Sequence, residues 1–442
     1  MSESTIFHLM VERRLGRVLN ATPNEIKALI WSFLYFFSLL CSYYIIRPLR
    51  DEMGVAGGVE KLHWLFTGTF IVMLLAIPVF GWLTKHFRRS RFLPAIYLFF
   101  ITNLLLFFLM FQFSDHQLLT ARAFFIWTSV YNLFVVSVFW SFMADVFNDD
   151  QAKRLFGVIA AGGTTGAIVG PIVASSFSLW FGTNILLLIS SLLLATTIVC
   201  IRKISLWSSL QGGVSKDDHQ NQESAQGTAL GGSIWGGVKK VLSSYYLLGI
   251  AVLMLLFTTL STFLYFQQAQ IISDSFANPA HRTAVFAGMD LAVNTLTLVL
   301  QLLVTGRLIR QIGLAWSLAL VPLLLCVGFL ALSLMPVLGV IVLVQVLRRA
   351  GNYAITRPGR EMLYVVLDRE SKYKAKNVND TVMYRGGDAI SAWAYAALKG
   401  LGLSLSQIAL IAVPLAALWA GLAYALGRQQ EKMSPLHDKG VD

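Results

Sequence analysis

The stretch Phe92–Phe113, FLPAIYLFFITNLLLFFLMFQF, runs for 22 residues without an Asp, Glu, Lys or Arg. A helix needs about 20 apolar residues to cross a hydrocarbon core of about 30 Å. Apolarity here is continuous rather than alternating, and in lipid only a structure that satisfies its own backbone groups survives, so the stretch reads as a spanning helix. Leu62–Leu83, Ala123–Ala144, Leu155–Phe181 and Leu401–Gly427 are equally free of charge. The chain is 56% hydrophobic and 13% charged, against about 25% charged in a soluble domain. That imbalance excludes a soluble enzyme or binding module and leaves an all-α polytopic membrane protein.

Working outward, twelve spans are expected near 25–47, 62–83, 92–113, 122–146, 155–177, 182–201, 244–270, 284–305, 314–334, 337–364, 376–399 and 404–427. The polar, Gly/Ser/Gln-rich stretch Gly212–Ser233 has linker composition. It divides the chain into a cytosolic segment 1–24, a six-helix bundle 25–203, a linker 204–243, a second six-helix bundle 244–427 and a tail 428–442. Met1–Lys27 has no apolar core of the kind a secretory signal carries. Basic residues gather on alternate connections: Lys85, Arg88, Arg89 and Arg91 after span 2, Arg307 and Arg310 after span 8, and Arg369, Lys372, Lys374 and Lys376 after span 10. By the positive-inside rule both termini are cytoplasmic, and a bacterial inner (plasma) membrane is the expected location. The net charge of +12 has the same origin and does not identify a ligand.

The halves repeat. Gly81-Trp-Leu-Thr-Lys85-His-Phe follows span 2 and Gly306-Arg-Leu-Ile-Arg310-Gln-Ile follows span 8; Asp149 to Arg154 and Asp368 to Lys372 occupy matching places after spans 4 and 10. Two six-helix repeats in one chain are a plan of alternating-access carriers.

Charges inside such helices cost at least about 2.5–3.5 kcal/mol at mid-membrane on insertion scales, so they mark cavities or partners. Arg348 and Arg349 end the charge-free run Gly313–Leu347 and are the sharpest candidates. Arg47, Arg50 and Asp51 sit around Pro48 at the end of span 1, where Arg47 and Asp51 are spaced to pair on one helix face. Arg357 and Glu361 have the same spacing. Arg385 and Asp388 interrupt span 11 beside Gly386-Gly387, three apart and able to neutralise each other. Asp290, a lone carboxylate early in span 8, is a candidate coupling site for a proton. Guanidinium groups suit a phosphate, because the planar fork engages two oxygens and keeps its charge when buried. Gly162, Gly166 and Gly170 form a small-residue ridge on span 5, a device for close helix packing; with Pro171 the run Gly166 to Pro171 also resembles the antiporter motif of major facilitator carriers.

Walker loops, nucleophile elbows and His/Cys metal spacings are lacking. Cys41, Cys200 and Cys326 each fall inside a span, where thiols serve packing. No catalytic residue, metal or cofactor is expected, and the protein is not expected to be an enzyme.

Three segments together resemble the ATP/ADP translocase family of plastids and intracellular bacteria, most closely its shorter bacterial relatives: Tyr43 to Gly54 (YYIIRPLRDEMG), Arg154 to Gly163 (RLFGVIAAGG), and Arg357-Pro-Gly-Arg-Glu-Met through Lys372-Tyr-Lys-Ala-Lys-Asn to Asp380–Asp388. The resemblance implies the twelve-helix major facilitator architecture and exchange of a nucleotide or other organophosphate without ATP hydrolysis. It also implies roles for Arg50 and Arg385 as the family's basic residues. It further implies glutamates in helices 4 and 7, yet Ala123–Ala144 and Val241–Ser273 hold no acidic residue, so strict ATP-for-ADP exchange is not implied.

The expected function is thus secondary transport of an anionic, phosphorylated solute by an antiporter, with a substrate site drawn from Arg47, Arg50, Arg348, Arg349, Arg357, Arg385 and Asp388. The expected partners are that small anion and the lipid bilayer, with no nucleic acid polymer and a monomeric state. One alternative is a proton-coupled carrier of another solute or of a lipid-linked phosphate; a non-transporting membrane scaffold or sensor is the alternative from another class.

Overall fold

The computed structural model describes residues 22–86, 89–113, 115–210 and 241–433. The linker core Gly212–Ser233, Arg88, the tail from 434 and most of the N-terminal segment lie outside those residues. Among the described residues the chain is helical, with no strand.

The first half holds α1 (Pro23–Ala56), α2 (Leu62–His86), α3 (Arg89–Phe113), α4 (Gln117–Val146), α5 (Asp149–Phe181) and α6 (Ile185–Leu210). The second half holds α7 (Tyr245–Ser275), α8 (Pro279–Leu300), α9 (Gly306–Leu334), α10 (Leu338–Gly351), α11 (Arg357–Leu363), α12 (Arg369–Val378), α13 (Tyr384–Gly400) and α14 (Leu405–Met433). Three π-helical turns, Gln301–Thr305, Asn352–Thr356 and Asn379–Met383, join α8 to α9, α10 to α11 and α12 to α13. Ten helical runs among the described residues are long and apolar enough to cross a membrane. One of them, Pro279–Leu334, contains a break at Gly313 (φ 77°) and so covers two expected spans. The run Arg369–Gly400, in the place of span 11, is too charged to count by apolarity. Large apolar side chains in mid-helix, such as Leu192 at 69% and Val327 at 70% exposure, point outward, as lipid contact requires.

The chain forms two compact units. One gathers α1, α2 from Ile71, α3–α6 and α8 as far as Leu291; the other gathers Gly57–Phe70, α7, the rest of α8 and α9–α14. Each half of the sequence thus lends a helix end to the other unit.

In the first unit α1 lies in the groove made by the α5 glycines. A methyl group at Gly162 would stand 2.5 Å from the Phe33 carbonyl, and one at Gly170 would stand 2.9 Å from the Cys41 carbonyl. Packing is therefore what the glycine ridge does. Buried hydroxyls stitch the bundle: Ser42 bonds Tyr131 at 2.9 Å and Ser190 at 2.6 Å, and Tyr35 bonds Tyr97 at 2.6 Å. Such interhelical bonds act as glue where lipid offers no competing partner. Asn148 and Gln151 cap α5 reciprocally, and Arg154 reaches Glu25 of α1 at 3.1 Å, so the Arg154 segment serves to fasten α5 to α1. In the second unit Gly427 of α14 lets the Ala315 backbone of α9 come into contact. Beyond Gly313 the chain starts a fresh helix, and the Ala315 N–H donates to Glu431 at 3.1 Å.

Two boundaries depart furthest from expectation, by nine residues each. α1 does not end near residue 47 but continues through Pro48 to Ala56, because neighbouring helices can accommodate the bond that proline removes. α6 extends to Leu210.

Candidate functional site

Each unit contains a set of charged side chains. In the second unit α10 carries Arg348 and Arg349, 8% and 9% exposed. The Arg348 guanidinium donates to Gln345 Oε1 at 3.2 and 2.8 Å and to Ser261 Oγ of α7 at 2.7 Å. Those partners are neutral. Asp388, Tyr384 and Tyr353 lie within electrostatic reach, as does the like charge of Arg349. On α13, Arg385 sits over the Tyr384 ring, 5.3 Å from its centroid, while the Thr262 hydroxyl donates to Asp388 at 3.4 Å. Helices α7, α10 and α13 therefore converge on two buried arginines, a half-buried arginine and one carboxylate.

Two of the π turns flank these residues: Asn352–Thr356 directly follows α10, and Asn379–Met383 directly precedes Tyr384. A π turn widens the helix and leaves carbonyls in need of donors, and such turns are frequent at functional sites. Here Thr305 Oγ1 donates to the Ala354 carbonyl at 2.9 Å, and Gln301 donates to the Tyr353 carbonyl at 3.4 Å. The turn of one span is thus held by residues in the turn of another.

In the first unit Arg47 faces Asp290 of α8 at 3.6 Å, with the carboxylate 1% exposed. Arg50 pairs with Asp51 at 2.7 Å and lies over the Phe125 ring, 3.7 Å from its centroid. Glu52, fully buried, accepts two bonds from Arg282 of α8 at 2.6 and 2.7 Å.

Several expected pairings are corrected by this geometry. α8 brings a buried carboxylate, Asp290, to Arg47, and Asp51 is engaged by the adjacent Arg50. Asp290 is accordingly not a lone carboxylate. Glu361 pairs with Lys376 at 2.6 Å rather than with Arg357, and Arg357 is exposed, away from the buried set. The Gly387 backbone packs against Thr258 and Leu255 of α7. Gln345, Ser261, Tyr384, Glu52 and Arg282 were not singled out by sequence reasoning. A signal existed for Arg282 alone: it is a cation at the start of span 8, at the same membrane end as Glu52.

Two bundles of spanning helices, each with charged side chains held inside it, define a multi-pass membrane transporter, not an enzyme. A model of the Major Facilitator Superfamily matches residues 28–358, and the chain belongs to that family. Among solved structures it is similar to a bacterial homologue of the iron transporter ferroportin in its inward-facing state (TM-score 0.65, 13% identity, covering 91% of this chain and 98% of that one). It is also similar to the nucleoside transporter NupG (0.61, 11%, 93% and 99%) and to an auto-inhibited POT family peptide transporter (0.60, 15%, 92% and 96%). At these identities the likeness concerns the fold. No curated protein sequence matches the chain.

Proposed function

We propose that this transporter carries an anionic, phosphorylated solute, exchanging it by alternating access in the manner of the nucleotide exchangers it resembles in sequence. The observation that carries the reading is Arg348: it is 8% exposed, and among the described residues its hydrogen bonds go only to the neutral Gln345 and Ser261. A buried charge without an ionic partner in hydrogen-bonding contact is costly, and Arg349 beside it adds a like charge within electrostatic reach. A phosphoryl group would supply the missing negative charge and accept bidentate bonds from the guanidinium. Arg385 and Asp388 are proposed to orient the rest of the solute, and Arg47 and Arg50 to serve from the first unit.

Thermal unfolding of the purified protein with nucleotides, sugar phosphates, inorganic phosphate and uncharged metabolites tests this. A phosphorylated ligand at about 100 times its Kd adds about 2.7 kcal/mol of stability. That gain is expected to vanish in Arg348→Gln while the protein still inserts. Stabilisation by uncharged solutes alone would refute the anion site.

A second reading, proton-coupled transport, is favoured by the deep burial of Asp290 against Arg47. Uptake driven by an imposed proton gradient without a counter-substrate in the vesicle separates it from exchange.

A further inference from the structure

The second unit holds a cavity of about 290 Å³, lined by Glu60 in the 3-10 turn just before α2, His63 at the start of α2, Phe266 and Gln270 near the end of α7, and Tyr395 and Lys399 near the end of α13. We infer that this cavity is a second binding site, for a small zwitterion carrying an ammonium and an oxyanion, separate from the buried arginines.

Its place in the membrane comes first. α7 starts just after the linker and ends near Gln270, so the cavity lies at the end of the unit away from the linker. Trp64 and Trp393, 56% and 43% exposed, meet beside it at 4.9 Å between centroids. Trp393 also contacts His63 at 4.4 Å and donates its indole N–H to Thr67 at 3.0 Å. Exposed tryptophans with a satisfied N–H collect at headgroup depth, so the mouth opens at the interface, where ions and polar headgroups are both available.

Its chemistry comes next. The lining offers one carboxylate, Glu60, and one ammonium, Lys399, and among the described residues neither has an ion-pair partner. Two opposite charges on one cavity wall that do not reach each other are complementary to a ligand carrying both signs in reverse order. The third group is Tyr395, 3% exposed, with its ring against Phe266 at 4.8 Å and Phe263 at 5.3 Å. Its hydroxyl finds no hydrogen-bond partner among the described residues. Buried hydroxyls are ordinarily satisfied, and an oxyanion held by Lys399 is a suitable acceptor. Phe266 provides an apolar wall for a short carbon spacer. The volume stands at the lower edge of the usual ligand range, roughly 300–1,000 Å³, which suits a small solute or a single headgroup.

The chemistry is shared by free zwitterions and by the head of an aminophospholipid. Calorimetry on the full-length protein with O-phosphoethanolamine, and with ethanolamine and inorganic phosphate as its separate halves, tests the site. The joined molecule is expected to bind at least about tenfold more tightly than either half, and Glu60→Gln and Lys399→Gln are each expected to lose about tenfold. Both side chains are exposed, so these variants fold. Tyr395→Phe is expected to weaken binding by a smaller factor. If phosphate alone binds as tightly, or if Glu60→Gln and Lys399→Gln leave the affinity unchanged, the zwitterion site is overturned, whatever becomes of the arginine site. In nanodiscs, weaker binding of the soluble probe in phosphatidylethanolamine than in phosphatidylglycerol assigns the lipid head as occupant. Equal binding assigns a free solute, and either result upholds the zwitterion.

Discussion

Glu52 is fully buried, and its carboxylate takes both of its close bonds from a single guanidinium, that of Arg282, itself 12% exposed. Breaking a buried pair from one side leaves an uncompensated charge, at a cost of about 3–5 kcal/mol. Arg282→Gln is therefore expected to lower thermal stability in detergent sharply, and Glu52→Gln less, since a carboxamide still accepts one bond. The double variant Glu52→Gln/Arg282→Gln should be more stable than the Arg282→Gln single, with a coupling of about 0.5–3 kcal/mol in the cycle. Additive losses would show that the pair is not energetically coupled. The arginines of α1 show what spacing alone leaves open. An i,i+4 interval states which side chains can meet on one helix, but it does not state what a packed neighbour offers. Asp290, 243 positions beyond Arg47 in the chain, supplies a partner that no spacing within α1 reveals.

At the level of the helix, α5 carries its own control. A methyl group at Gly166 would run into the Phe37 carbonyl and stand 2.9 Å from the Cys41 amide nitrogen, both backbone atoms that cannot rotate away; at Gly157, one turn before the ridge, nothing lies within 4 Å. Gly166→Ala is expected to destabilise by about 1–3 kcal/mol through overpacking. Gly157→Ala is expected to be neutral or to gain up to about 0.5–1 kcal/mol from helix propensity. Equal melting shifts in the two variants would disprove the groove. The ridge and most of the spans were legible from the sequence because small-residue spacing and charge-free length each bear directly on packing and on lipid. The three π turns were not, since widening one turn leaves hydropathy untouched. For the same reason Arg348 on α10 and Asp388 on α13 could be flagged, while their partners on α7, Ser261 and Thr262, could not. A hydroxyl in an apolar helix carries no sign of which way it faces.

For the molecule as a whole, the placement of basic residues bears on sidedness. The short connections Gly182–Asn184, Met335–Val337 and Leu401–Ser404 contain no Lys or Arg. The opposite helix ends carry Arg202 and Lys203, Arg307 and Arg310, Lys372 and Lys376, and Arg428 and Lys432. Translocating basic loops is disfavoured, so the rich ends are expected to stay in the cytoplasm, and with an even number of spans both termini stay with them. A fluorescent protein fused after Asp442 should therefore mature and fluoresce, while alkaline phosphatase at the same place should be inactive. A cysteine introduced at Asn184 or Ser404 should react with an impermeant maleimide on intact cells, and one at the exposed Arg310 should react only after the membrane is opened. The native Cys41 and Cys200 are buried and Cys326 is half-buried within α9, which keeps the background low. The reverse labelling pattern would place the buried arginines and the Trp64–Trp393 cavity at the opposite depths. It would also move the zwitterion site from the outer face to the cytoplasmic face, where metabolites rather than external solutes would be its source.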